Sequence, residues 1–221
     1  MVLQTTGTTT RWVATSSLGF NSTAGWSLTG NSGTNPDSNF IGTTDAQSLS
    51  FRVNNIVWGS LQNTSKSVFF GENSGRSNAS TTSNLYTIGI GYQAFGTSTA
   101  SSTGINNIAI GSNSLFNNLT GGDNVAVGAS TLLSNTTGYA NSAFGTGALS
   151  NNTEGNESSA FGRGALFSNT TGFNNNAFGN QALQRNIDGG GNNAFGNESM
   201  FGNVDGWYNV AVGHQSLYYN V

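Results

Sequence analysis

Cysteine is absent from this 221-residue chain. That excludes a disulfide framework, a thiolate nucleophile and any zinc site built on cysteine sulfur. There is one proline and one histidine, and charged residues make up 7% of the chain against a usual ~25%. The six basic residues, Arg11, Arg52, Lys66, Arg76, Arg163 and Arg185, are scattered, and the net charge is −3. A nucleic-acid partner is therefore not expected, because phosphate binding needs clustered cations. No apolar run approaches the ~18 residues of a spanning helix, so no membrane insertion is expected. The opening Met1 to Thr10 lacks the apolar core of a signal peptide and reads as the start of an excised fragment, or as a start codon added to one.

What remains is neutral and hydrogen-bonding. Glycine is abundant at 32 residues, and Asn, Ser and Thr fill the space that charge usually takes. Disordered chains combine low hydrophobicity with high charge. Here 35% of residues are apolar, 14 of them Phe, which predicts an ordered chain with a thin core.

The second half is periodic. Gly111, Gly128, Gly145, Gly162, Gly179, Gly196 and Gly213 lie seventeen apart. Alanine stands two before each, and a large apolar residue one before: Ile110, Val127, Phe144, Phe161, Phe178, Phe195 and Val212. Three after the glycine the residue is small, and four after it is Leu or, once, Met200. Seven after it is always Asn, from Asn118 to Asn220, and ten after it is a second Gly, from Gly121 to Gly206. The unit is N-x-A-Φ-G-x-x-(A/S/T)-L-x-x-N-x-x-G-x-x, where Φ is the large apolar residue. Two irregular copies ending at Gly71 and Gly91 precede it, each twenty residues from the next glycine. The chain stops at Asn220-Val221 inside a unit, which suggests that the parent protein continues.

Such a period signals a solenoid. N-x-A-Φ-G predicts a strand of about five residues, and x-x-(A/S)-L a second, weaker extended piece. Asn and the second Gly suit turns because both accept a left-handed backbone. Helix is disfavoured, since Gly and Asn recur in every window. Alternation puts Ala and Gly on one face and the Φ row on the other, and stacking of coils at ~4.8 Å is expected to bury that row. One Φ and one Leu per coil make a poor core for a single chain, which points to a parallel homotrimer. The fold class expected is all-β: a parallel β-roll or β-solenoid of seventeen-residue coils, intertwined or side by side in a homotrimer, with short β connectors at the N-terminus.

The units N-S-A-F-G-T-G-A-L and N-V-A-V-G-H-Q-S-L resemble the repeats of trimeric autotransporter adhesin heads. That resemblance implies a trimeric β-roll of left-handed coils, although units there are usually shorter. The longer unit with its N-T-T-G spacer, Asn135–Gly138 and Asn169–Gly172, looks more like repeats of bacteriophage tail fibres and of large bacterial surface proteins. Residues 39–55 resemble an F-x-G-T-T-D-x-x-x-L-x-F-x-x-N-N element that precedes repeats in such fibres, and residues 2–19 a fibre connector. Three segments follow: a Thr/Ser/Gly-rich connector at 1–38, a small β element at 39–66, and the repeat stack at 67–221. The first two coils are widened by Ser/Thr-rich loops near 75–84 and 97–104, expected to be exposed.

No catalytic, cofactor or metal residues are expected. His214 occupies a variable position and reads as solvent-facing. Glu154, Asp188 and Asp205 share a column with threonines, which suits turn chemistry better than a calcium ladder. The glycines of Gly89–Gly96 follow the repeat register, so a phosphate loop is discounted. Sequons such as Asn135, Asn169 and Asn197 arise from composition. Tyr139, Phe173, Trp207 and Tyr208 sit in or beside the spacer loop and are the candidate ligand contacts, as stacking platforms for sugar rings, against packing on a neighbouring coil or subunit.

The leading expectation is a structural and adhesive segment of an extracellular fibre, on a cell surface or virion, that engages a cell-surface glycan or protein receptor. The alternative is an ice- or glycan-binding solenoid without catalysis. A glycan hydrolase built on Glu154 and Glu157 ranks last, since such chemistry needs paired carboxylates in a groove.

Overall fold

The structure, a computed structural model, describes residues 2–6, 9–13, 32, 35, 40–75, 85–96 and 102–220. The remainder of the 1–38 connector and most of the two widened loops lie outside the described residues. The chain divides into two units, Met1–Thr44 and Asp45–Val221. In the first, β1 (Val2–Thr6) and β2 (Thr9–Val13) form an antiparallel hairpin.

The second unit is one eleven-stranded sheet. It starts with three antiparallel strands, β3 (Leu49–Val53), β4 (Ile56–Gln62) and β5 (Ser67–Phe70). From β5 onward every pairing is parallel, one strand per coil: β6 (Ile88–Ile90), β7 (Ile108–Ile110), β8 (Val125–Val127), β9 (Ser142–Phe144), β10 (Ser159–Phe161), β11 (Asn176–Phe178), β12 (Asn193–Phe195) and β13 (Val210–Val212). The register pairs each repeat alanine with the next, as Ala143 with Ala160 and Ala160 with Ala177. The all-β parallel solenoid is therefore as the period implies. No helix among the described residues is long and apolar enough to cross a membrane.

Each repeat strand has three residues rather than five, and the second extended piece does not form. The reason lies in the backbone. The glycine that ends each strand takes φ between 119° and 145°, the residue two after it 52° to 71°, and the Leu or Met four after it 48° to 53°. These left-handed residues turn the chain away from the sheet at once. A leucine in this conformation costs about 1 kcal/mol, but in every regular coil except the last, where Leu217 is half exposed, the side chain is fully buried, which returns about 1.5–3 kcal/mol. The balance favours the turn, and it explains the choice of residue. Val and Ile fill the strands but never this column, because branching at Cβ makes the left-handed region prohibitive.

The core runs along the Ala side. The buried apolar residues of the regular coils are the alanines of the strands, the small residues three after the glycine, and the leucines with Met200. The Φ row, expected to be buried by stacking, lies on the outer face. Phe144, Phe161, Phe178 and Phe195 stack there with centroids 4.8 to 5.0 Å apart and planes within 11°. Phe144 and Phe195 remain 37% and 40% exposed. Stacking covers only the ring faces against adjacent coils, so the outward edges stay in solvent. At the N-terminal end the volume is redistributed. Phe69 takes an alanine position, and Gly75, in a leucine position, leaves space that a Cβ would fill against the Phe69 ring.

The repeat asparagines do not supply left-handed turns. Asn118, Asn135, Asn152, Asn169, Asn186 and Asn203 have no positive φ and are 0% exposed. Their side chains form a ladder: Nδ2 of Asn135 donates to Oδ1 of Asn118 at 2.7 Å, Asn152 to Asn135 at 2.9 Å, Asn169 to Asn152 at 2.7 Å, and so on to Asn220. Each Nδ2 from Asn118 to Asn203 also donates to the carbonyl of the second glycine three residues on, as Asn152 to Gly155 at 2.9 Å. A second column, Asn107, Asn124, Asn141, Asn175 and Asn192, reaches the same carbonyls from the strand side, as Asn141 to Gly155 at 2.8 Å. The Oδ1 atoms of this column accept the backbone N–H of the following coil. The second glycine itself has an ordinary φ. It is glycine because a Cβ on Gly155 would collide with the Gly172 carbonyl oxygen and the Asn152 side chain.

Ser158 interrupts the second column, so the Gly172 carbonyl receives one amide, from Asn169. Ser158→Asn restores the missing donor and is expected to raise stability by about 1 kcal/mol, read from denaturant midpoints. Asn152→Ala removes three buried hydrogen bonds and should cost about 3 kcal/mol in the same measurement. Gly155→Ala is expected to be more damaging than Gly147→Ala, although Gly147 has the positive φ of 71°. At Gly147 a Cβ meets only ordinary contacts of 3.4 and 3.5 Å. Equal losses would refute the close-packing role of the second glycine.

Candidate functional site

Function must reside on the surface, because the interior columns are occupied by stacking. The candidate contacts Tyr139, Phe173 and Trp207 share one column six residues before the repeat glycine, with Ile105, Gly122, Asn156 and Gly190 in the coils between. Large and small residues alternate from coil to coil. Trp207 uses this by lying over Gly190, where a Cβ would come within 2.6 Å of its ring, and it meets Phe173 edge-on at 5.3 Å. Tyr208, 79% exposed, packs beside Trp207 with centroids 5.9 Å apart. The structure thus gathers Phe173, Trp207 and Tyr208 into one exposed aromatic cluster. Tyr139, also exposed, makes no ring contact with them. Its backbone N–H is held by Oδ1 of Asn156 at 2.9 Å.

The polar candidates stand apart. Glu154, Glu157, Asp188 and Asp205 are all exposed, and among the described residues no three acidic or histidine side chains converge. His214 is exposed, with Nδ1 3.2 Å from Nδ2 of Asn197. Asn197 Oδ1 in turn accepts from Asn180 at 3.1 Å, so the imidazole ends a polar ladder on the surface. Gly89–Gly96 forms a strand end and a turn, and no helix follows among the described residues. The threonine hydroxyls of Thr136, Thr153 and Thr170 donate to carbonyls of the next coil at 3.0 to 3.2 Å, which removes them from an ordered outward array.

Two surfaces were not foreseen from sequence. One is apolar. On the outer sheet face the Φ row runs beside a second column, Ile88, Ile108, Val125 and Val210, and Val210 and Val212 are 65% and 72% exposed. The β3–β4 hairpin continues this character, with Phe51, Val53, Ile56, Val57 and Trp58 all exposed. The signal was the strand alternation itself, but which face turned inward depended on the left-handed turns.

The other surface is a notch of about 240 Å3 beside the turns of the coils centred on Gly145 and Gly162. It is lined by Gly147 and Gly164 together with Ser150, Arg163, Phe167, Gln181 and Gln184. Its trace in the sequence is a departure from the repeat. The column two after the repeat glycine holds Asn113, Ser130, Gln181, Glu198 and Gln215, and glycine only at 147 and 164. A larger hollow of about 300 Å3 lies between β4 and the first coil, lined by Ile56, Val57 and Phe69 among others. Comparison with protein-family models, curated proteins and solved structures finds no match to this chain.

Proposed function

We propose that this chain is a structural and adhesive segment of an extracellular fibre, assembled as a parallel homotrimer and carried on a cell surface or virion, which engages a glycan or protein receptor on a target cell. The observation that supports it is the outer apolar strip, which one chain leaves in solvent along the whole parallel stack. A phenylalanine about 40% exposed leaves roughly 80 Å2 of its ring in water. Summed along the coils, the strip reaches several hundred Å2, the range that marks interaction surfaces rather than chance exposure.

A periodic strip is best covered by an identical periodic strip. Parallel association keeps each coil beside its own equivalents, so the phenylalanine section meets phenylalanine and the Val127 and Val212 ends meet valine. The threefold arrangement follows from the resemblance of the N-x-A-Φ-G units to fibre and adhesin repeats. The variable surface columns then carry recognition, while the repeated columns hold the shaft.

Sedimentation velocity with light scattering is expected to give an elongated trimer; a compact monomer would sink the fibre reading. Phe161→Ser combined with Phe178→Ser should shift the protein toward monomer and leave the β-sheet circular dichroism intact, because these rings lie outside the coil interior. Loss of the β signal together with the trimer would instead make the Φ row part of the coil's own stability.

A further inference from the structure

We infer that the notch over Gly147 and Gly164 is a binding site for a single pyranose ring bearing a carboxylate. The inference begins with the glycines. The backbone at this column is left-handed in every regular coil, yet Asn113, Ser130, Gln181, Glu198 and Gln215 adopt it at φ of 52° to 57°. Conformation therefore does not demand glycine at 147 and 164. Space does not demand it either. A Cβ on Gly164 would meet Gln184 and Gln181 at 3.6 and 3.7 Å, and one on Gly147 the Phe167 ring at 3.4 and 3.5 Å, all ordinary contacts. Two adjacent coils thus give up a side chain that the fold would accept, and the result is an open volume.

Ser150 deepens it. Three residues further along the turn, the other regular coils carry Phe116, Leu133, Phe167, Gln184, Phe201 and Tyr218, so Ser150 is the smallest side chain of its column among the regular coils. It is only 4% exposed and lines the notch, yet its hydroxyl has no hydrogen-bond partner among the described residues. The notch it lines has room for water, so a ligand hydroxyl there would take water's place as the partner of this hydroxyl.

The remaining groups define the ligand. Phe167, 38% exposed, presents ring surface to one wall. The axial C–H face of a sugar can pack against such a ring. Gln181 and Gln184 are aligned by a 3.2 Å bond from Nε2 of Gln181 to Oε1 of Gln184. Gln181 Oε1 also accepts from Asn180 Nδ2 at 3.5 Å, so the Gln184 Nε2 is the donor left for a sugar hydroxyl, and the second lone pair of Gln181 Oε1 the acceptor. Arg163, exposed and without an ion pair among the described residues, is the single cation that lines the notch. A planar guanidinium in that position matches a carboxylate bidentately. The volume of about 240 Å3 is below the ~300–1,000 Å3 of sites for drug-sized ligands, which suits one ring.

The site stands on one chain's residues and rests on the adhesive reading only for its biological use. The probe is methyl glucuronide, with methyl glucoside as its neutral counterpart, measured by saturation-transfer NMR and titration calorimetry on the full chain. The expected result is saturable binding of the glucuronide with a dissociation constant on the order of millimolar, at least about tenfold tighter than the glucoside. Saturation should be strongest on the C–H face that packs on Phe167. Arg163→Ala, in a column where Ser112, Ala129, Thr146 and Asn180 also stand, should abolish the preference for the carboxylate. Gly147→Asn with Gly164→Asn, which copies Asn113, should fill the notch and remove binding while the melting temperature stays within a few degrees. Equal affinity for both sugars, insensitivity to Arg163→Ala, or no saturable binding at roughly tens of millimolar would each overturn the inference. If the double asparagine variant does not fold, Arg163→Ala decides alone. A trimer without glucuronide binding refutes the notch and spares the fibre reading, and a monomer that binds does the reverse.

Discussion

The hydrogen bonding of the second-glycine carbonyl is the constraint on which the rest of the structure depends. In each regular coil that carbonyl points inward, where water cannot reach it. Except at Gly172, it is met by two asparagine amides, one from the turn column and one from the strand column, as at Gly155 with Asn152 and Asn141. A buried carbonyl left alone would cost several kcal/mol per coil. Asparagine is suited to the task because its amide donates twice and accepts as well. One face can satisfy the glycine while the other passes the bond to the next coil. Serine at 158 holds the backbone contact but loses the amide.

Close packing follows from that node. Successive second glycines approach until no Cβ fits between them, and successive strand-end glycines do the same. This spacing brings the coils to the 4.8 Å repeat seen in the phenylalanine stack. At such a distance the interior has room for alanine, a small residue and one leucine per coil. The narrow cross-section is therefore a consequence of the polar ladder rather than of a shortage of large apolar residues, and those residues are placed outside.

The division of labour between columns has a functional counterpart. Columns that face inward are held to Ala, Leu, Asn and Gly by contact with their own copies. Columns that face outward are constrained only by turn conformation and neighbour contact, and they vary. The aromatic cluster of Phe173, Trp207 and Tyr208 and the notch beside Arg163 arise where the repeat is loosest, whereas the apolar strip is a repeated column that faces outward. A stack of this kind can change its surface coil by coil without altering its interior.

The seventeen-residue spacing by itself determined the parallel solenoid, its coil boundaries and its register, because identical residues at a fixed interval can stack in only one consistent way. The columns also singled out Tyr139, Phe173, Trp207 and Tyr208 in or beside the spacer loop, whose exposure the tertiary structure decided. Tertiary structure decided the rest. Alternation along N-x-A-Φ-G separates two faces but does not say which is interior. That choice came from the left-handed turn after the strand, which folds leucine back onto alanine and leaves phenylalanine outside. The invariant asparagines and second glycines looked like turn residues, since both types tolerate positive φ. Their true roles, as amide rungs and as points of backbone contact, exist only between coils, where atoms seventeen residues apart in sequence meet within a hydrogen bond's length.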